Sequence, residues 1–465
     1  MANSSHMATT QSELPSKRLT YLFLCSTSAS VHFFTRRISV TGFLIPALFP
    51  VSCILLLSFG SNGSLRYICA LLFIIPLVSS FWLLFRKCQI NVTRITPTRA
   101  TVDEKISYQV ILKNETSRPV RGASVLEMEP DNRPTYENFL HSKEPGEETR
   151  NIFDRNLCYY RWEWLQGLLT KVKPNKVEAI TTIPPKQSIT TTLTTTPSKR
   201  GVILMEDLRI CLHDPLGLFQ RFLKTTSEPN KITVLPKRYQ IPSFAISSNA
   251  QAQSGGENTS QAHGYAGDFT GVRDYKPGDP PRHIHWKSWA RTGTPIVKEY
   301  ENTYLPRYGI ALDTCISMND IELFEIAVSV AASYISEINN ANSLVEKLYL
   351  PNQVHSSDAQ HSDHHSYQML EVLANVVNQP ELDYQQFTNL ILKGVNKLTA
   401  IIVVLTDWDE QHCKMIKHLH GSGLVLHLIA ICDDIDTAQR KQKSHPSPVA
   451  IKWVRTAHVQ HDLLY

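Results

Sequence analysis

The sequence predicts a multidomain chain: an N-terminal transmembrane helical hairpin, an antiparallel β-sandwich, then an α/β domain built on a parallel sheet. Three observations carry that reading. Two apolar runs of about twenty residues lie close together near the start, many short alternating segments follow them, and strand and helix patterns alternate after Pro306. The chain has 465 residues, room for more than one domain. Its net charge of +5 is too mild to imply a nucleic-acid partner, and none is expected. The nine cysteines are odd in number and scattered without a CxxC pair, so neither a zinc site nor a disulfide framework is indicated. Texture divides the chain into 1–37, a hairpin at 38–87, a sandwich at 88–242 with an insertion at 131–176, a linker at 243–266, a distinctive block at 267–301 and the α/β domain at 302–465.

The hairpin rests on Ile38 to Phe59 and Leu65 to Phe85, each long enough to cross a bilayer and without a polar stripe. Arg66 stands at the start of the second run, where it can snorkel, and Pro46, Pro50 and Pro76 are tolerated in transmembrane helices. Arg36-Arg37 precede the pair and Arg86-Lys87 follow it, which by the positive-inside rule puts both ends and all the remaining mass in the cytoplasm. Leu19 to Phe34 reads as an interfacial helix, and Met1 to Met7 reads equally as native sequence or a cloning scar.

From Gln89 to Pro242 short strands alternate with turns. Ile90–Ile95, Ile106–Leu112, Val125–Met128, Ala179–Ile183, Ile189–Leu193 and Ile232–Leu235 have the strand pattern, and Asn114–Pro119, Pro184-Pro185-Lys186 and Pro197-Ser198 separate them. The insertion carries an aromatic cluster, Tyr159, Tyr160, Trp162 and Trp164, that would fold onto the sandwich or touch a membrane surface. Ser243 to His263, rich in Ser, Gln, Gly and Asn, is a linker.

The block GDFTGVRDYKPGDPPRHIHWKSWARTGTPIVKEYE, Gly267 to Glu301, is the most distinctive stretch. Lys276-Pro277-Gly278-Asp279 is turn chemistry, and Asp279 is placed to cap a helix over Pro281 to Arg291 that Thr292-Gly293 stops. Pro295 to Glu301 then reads as a strand. Two readings of its charges remain. Arg273, Arg282 and Arg291 either pair with Asp274, Asp279 and Glu301 as a partner-binding or interdomain surface with Tyr275 and Trp286, or form with the lysines, Trp286 and Trp289 a basic patch for nucleic acid or phosphate. The interleaved acids favour the first.

After Pro306 the order is strand (Tyr308–Leu312), amphipathic helix (Asp320–Ile338), strand (Leu344–Leu350), helices (Tyr367–Val377, Tyr384–Lys393), strand (Ala400–Leu405), helix (Glu410–His420) and strand (Leu424–Ile431). Ligands of such sheets bind at the carboxyl ends of the strands. Asp313-Thr314-Cys315-Ile316-Ser317 and Thr406-Asp407-Trp408-Asp409 stand at two such ends. Helix capping and loop closure also account for them, with Asp409 as N-cap of the helix from Glu410. His355 to His365 has metal-like spacing but reads as a polar loop. No P-loop, nucleophile elbow, HExxH or dinucleotide fingerprint occurs, and no enzymatic activity is expected.

The block resembles the signature of a bacterial family catalogued as domain of unknown function fifty-eight. Pro197-Ser198-Lys199-Arg200-Gly201-Val202 and His213-Asp214-Pro215-Leu216-Gly217-Leu218-Phe219 are similar to two further segments of that family. The resemblance implies a bacterial inner-membrane protein whose C-terminal domain is von Willebrand A-like, a Rossmann-type fold. It also implies a protein-interaction adaptor acting with MoxR-type AAA+ ATPases in a chaperone-like or envelope-related assembly. Carried over by position, Asp313, Ser317 and Asp407 match the family set that holds Mg²⁺ or Mn²⁺. Cys315 stands where that set has a serine and no threonine is assigned, which leaves a degenerate site; the alternative function is a metal-dependent ligand receptor or enzyme using it.

Overall fold

The computed structural model describes residues 4–38, 50, 53–54, 63–86, 88–127, 132–173, 178–225, 229–242, 268–301, 306–316, 320–340, 343–356, 362–379, 382–395 and 398–464. They form two compact units, residues 1–237 with 371–375, and 238–370 with 376–465.

The first unit opens with helices α1 (Ser4–Arg37) and α2 (Gly63–Phe85). Strands β1 (Ile90–Ile95), β2 (Arg99–Thr101), β3 (Ile106–Asn114) and β4 (Val120–Glu127) follow. The insertion supplies α3 (Tyr136–His141), α4 (Ile152–Leu157) and α5 (Tyr159–Leu169). Strands β5 (Val172–Lys173), β6 (Glu178–Ile183), β7 (Ser188–Pro197), β8 (Gly201–Met205), β9 (Leu208–His213), β10 (Gln220–Lys224) and β11 (Asn230–Leu235) complete the unit.

Two four-stranded antiparallel sheets, in the orders β1-β3-β7-β5 and β10-β9-β4-β6, share one core, beside a three-stranded sheet β2-β11-β8. Strand β3 alternates between buried and exposed along its length, the period-two pattern of a strand with one face inward. Val110 and Leu112 from one sheet meet Val125, Ile210 and Leu212 from the other in that core. After β9 the chain reverses at Asp214, whose carboxylate accepts from the Phe219 N–H (2.9 Å) and the Leu216 N–H (3.2 Å), with Gly217 at φ 69°.

The insertion folds as a helical cluster with the N-terminal helix. Tyr21 of α1 rings against Tyr136, Phe139 and Trp162, its hydroxyl donates to the Pro134 carbonyl (3.1 Å), and Leu24 is buried with Phe139 and Leu165. Arg161 and Glu147, both buried, pair at its centre, with Nε donating to Oε2 at 2.8 Å.

The transmembrane hairpin is overturned: among the described residues no helix is long and apolar enough to cross a membrane. Most of Ile38 to Phe59 lies outside the described residues. Leu65 to Phe85 is helical within α2, but its last turns are tied to the β-sheets. Leu83 is buried in their core, the buried Ser79 hydroxyl donates to Asp214, and Arg221 donates to the carbonyls of Leu83 (3.2 Å) and Leu84 (2.9 Å). A count of uncharged residues does not register these tertiary contacts at Ser79 and Leu83, which tie one side of the helix to the sheets while Leu71, Val78 and Phe81 stay exposed.

The second unit begins with β12 (Asp268–Asp274), α6 (Trp286–Thr292) and β13 (Ile296–Glu301), in which β12 and β13 form a two-stranded antiparallel sheet. It continues with β14 (Arg307–Leu312), α7 (Ile321–Asn340), β15 (Leu344–Leu350), β16 (Gln353–Ser356), α8 (Ser362–Asn375, of which 371–375 count with the first unit) and α9 (Tyr384–Leu392). Strand β17 (Ala400–Leu405), α10 (Glu410–Gly421), β18 (Val425–Cys432), α11 (Ile435–Ser444), β19 (Ile451–Arg455) and α12 (Val459–Leu464) close the chain.

A six-stranded sheet runs β16-β15-β14-β17-β18-β19, parallel except for the edge strand β16. All six residues of β17, Ala-Ile-Ile-Val-Val-Leu, are buried, as a central strand covered on both faces requires. The register Leu312↔Val404 sets the ends of β14 and β17 side by side, which brings the loops after them together.

These packing assignments make opposite demands on two leucines. Leu112→Ala, at a fully buried position, should cost about 2–5 kcal/mol in denaturant unfolding of the full chain, whereas Leu204→Ala, at a position 53% exposed, should cost less than about 1 kcal/mol. Equal costs would contradict the inward face assigned to the sheets.

Candidate functional site

The carboxyl ends of β14 and β17 meet at Asp313, whose side chain is fully buried. Among the described residues, the groups that contact its carboxylate are donors. Oδ1 accepts the Cys315 N–H (2.8 Å), and Oδ2 faces His412 Nε2 (3.0 Å), the Thr406 hydroxyl (3.2 Å) and the Tyr384 hydroxyl (3.3 Å). The Thr406 hydroxyl also lies 3.1 Å from the Cys315 carbonyl, so one proton is shared between two acceptors.

Local rules place each partner. Asp409 caps α10, its Oδ1 accepting the His412 N–H at 2.9 Å, and Glu410 adds negative charge to the first turn. That cap fixes the first turn and aims the His412 ring inward, where Nδ1 lies 2.7 Å from Asp409 Oδ1 and Nε2 faces Asp313. Helix α9 starts from its own cap, Asp383, and lays the Tyr384 ring edge-on to the imidazole at 4.6 Å and 63°. Asp383 and Asp409 thus set two helix starts that converge on one buried carboxylate.

The electrostatics follow from burial and pairing. Burial alone would push the His412 pKa down, but the hydrogen bonds and charges of Asp313 and Asp409 outweigh it and raise it to about 9. The His412 hydrogen bond holds Asp409 well below the usual carboxylate range, against a smaller opposing effect of burial. Burial first, then the Asp313 charge, pushes both Tyr384 and Cys315 up, so each holds its proton.

Of the three residues matched to a metal set, Asp313 is ringed by donors. Asp407 turns to Lys441 (2.6 Å) and the Trp408 N–H (2.7 Å), with half of its side chain exposed. Ser317 lies outside the described residues, as do residues 357–361 of the His-rich segment, whose ends fall in β16 and α8. Among the described residues no group of three or more His, Cys, Asp or Glu is arranged to hold a metal ion. A metal needs lone pairs converging on one point, and Asp313 offers lone pairs already taken by N–H and O–H groups. Asp313 and Asp407 as they stand do not fit Mg²⁺ or Mn²⁺. Sequence reasoning missed His412, Thr406 and Tyr384; the one available signal for His412 was its position three residues after a capping Asp.

The block at 268–301 is a second, separate candidate. Arg273 holds Asp279 in a two-pronged pair (2.7 and 2.8 Å), and Asp279 also accepts the Lys276 N–H (2.9 Å), so it closes the turn with Gly278 at φ 109°. Its pKa falls to about 2, chiefly through the Arg273 hydrogen bonds. Asp279 does not cap the expected helix. Ile284 bridges to Val297 and the His285 N–H donates to the Ile296 carbonyl (2.8 Å), which splits the segment into a short 3₁₀ turn, Pro281–His283, and α6. Helix α6 ends at Gly293 in the left-handed conformation. Trp286 and Trp289 stack at 5.3 Å and 19°, with Trp286 62% exposed, and Arg282, Lys287 and Arg291 are exposed around them.

The cluster should leave a mark on stability against pH. The His412 pKa is raised from 6.5 to about 9, so its contribution, about 3 kcal/mol, is complete below 6.5 and is lost as pH rises through 9. The lowered Asp409 contributes above 3.8 and loses its effect as pH falls through its folded pKa. Unfolding free energy measured from pH 6 to pH 10 should therefore fall more steeply in the native chain than in His412→Asn; parallel curves would rule the imidazole out as the titrating group.

No curated protein matches the chain. Among solved structures, the crystal structure of a CARDB domain from Pyrococcus furiosus in complex with di-metal ions is 12% identical, covering 32% of this chain and 91% of that one at a TM-score of 0.17. A solution NMR structure of the same domain is 11% identical, covering 32% and 97%, also at 0.17. Likenesses that slight carry no argument about this chain. Residues 271–438, which include most of the Arg-Trp hairpin and all of the acidic sheet edge, match the family described as "Protein of unknown function DUF58", which supports the family that the sequence resembles.

Proposed function

We propose that this chain is a non-catalytic protein-interaction adaptor that binds a MoxR-type AAA+ ATPase through the hairpin over residues 268–301. The observation that carries this reading is the stacked Trp286–Trp289 pair held open on a fixed scaffold among Arg282, Lys287 and Arg291. Exposed tryptophan and arginine on a structured element are what binding hot spots are made of, because large contact area comes with little ordering cost. The pinned turn supports the same reading: Arg273 and Asp279 neutralise each other, and Lys287 and Arg291 stand exposed beside the stack. Their sign favours an acidic, partly apolar surface on the ATPase. The sheet edge supports the same reading, since Asp313 and His412 satisfy each other inside the fold and both are buried.

Binding of the purified chain to a MoxR-type ATPase of its own organism, followed by biolayer interferometry, checks this. Trp286→Ala should weaken it by about 30-fold or more, the loss expected of a hot spot. Arg291→Ala should weaken it less and flatten its salt dependence. Unchanged affinity in both variants would remove the hairpin as the contact surface.

A further inference from the structure

We infer that the His412 imidazolium is the resident cation of the sheet edge, held between Asp313 and Asp409 where a divalent ion would otherwise have to neutralise the acids. The native chain therefore closes this position to metal. The inference starts from a buried charge. The Asp313 side chain is fully buried, and an ionised carboxylate in that setting needs a cation or a full set of donors. Both are present, and among the described residues the cationic side chain in contact with it is His412.

The geometry suits a charged ring. Its two nitrogens lie 3.0 Å from Asp313 Oδ2 and 2.7 Å from Asp409 Oδ1. An ionised carboxylate only accepts, so a ring nitrogen facing one at these distances carries a proton. With both nitrogens so placed, the ring carries two protons and one positive charge. Lys441, the neighbouring ammonium, is committed to Asp407.

The same geometry excludes a metal. The two carboxylates lie at opposite nitrogens of one ring, so their lone pairs do not converge. Magnesium and manganese ask for about six oxygen ligands near 2.1 Å. Here Thr406 and Tyr384 turn hydroxyls towards Asp313, Cys315 contributes a backbone N–H, and its thiol is a poor ligand for a hard ion. The imidazolium is the better fit because α10 delivers it already oriented by the Asp409 cap.

Two measurements on the full chain test this. Free Mn²⁺ is followed by its EPR signal as the native protein is titrated at neutral pH, and no stoichiometric uptake is expected. One equivalent bound, and lost in Asp313→Asn, would overturn the inference. Thermal unfolding of His412→Ala is then compared with and without millimolar imidazole. The midpoint should fall, and imidazole should restore part of that fall in His412→Ala while leaving an Asp313→Asn, His412→Ala double variant unmoved. Equal rescue of both, or none of a folded single variant, would count against a cation held by Asp313. If His412→Ala does not fold, the Mn²⁺ titration decides alone.

Discussion

The second unit depends on one constraint: a carboxylate, Asp313, is sealed at the end of a parallel strand and must be neutralised by the protein itself. Everything around the carboxyl edge of the sheet answers that demand. Strands β14 and β17 bring Thr406 beside Asp313, α9 brings the Tyr384 hydroxyl, and α10 brings His412. Each donor comes from a different element, so the cluster joins two strands and two helices that apolar packing alone would leave free to slide. The underlying core, with Ile401, Val403, Leu405, Trp408, Ile416 and Leu419, gives cohesion; the polar cluster gives register.

The two candidate surfaces of this unit are built on opposite principles. At the sheet edge the buried acid is answered inside the fold, and the ring nitrogens of His412 are spent on carboxylates. In the hairpin, one charge pair is answered and serves as a clasp for the turn, while an aromatic stack and several cations are left facing outward. A structure that satisfies its acids internally and exposes a rigid aromatic patch is arranged for recognition more than for chemistry, which is why the proposed function rests on the hairpin.

Much of the second unit was legible because its signals are local. The apolar run Ala400–Leu405 is strand β17, the amphipathic stretch from Asp320 coincides with α7, and Asp409 caps α10 as its position before Glu410 implies. Turn chemistry was equally readable at Asp214 and at Lys276–Asp279. What failed was non-local. His412 and Asp313 lie 99 residues apart, and no periodicity links a helix histidine to a strand-end acid. The helix expected over Pro281–Arg291 was broken by a single pairing, Ile284 with Val297, that propensity does not contain. The transmembrane hairpin failed because twenty uncharged residues look alike whether they face lipid or, like Ser79 and Leu83, face a neighbouring sheet.

The protonation of the His412 ring tests the central claim most directly. Nitrogen-15 chemical shifts of its two ring nitrogens, assigned by their loss in His412→Asn, report each proton separately. A doubly protonated ring at neutral pH, with both N–H protons protected from exchange, is the predicted result. A neutral ring with one bare nitrogen would contradict the account, because Asp313 would then be a buried carboxylate without its cation and the edge would need another.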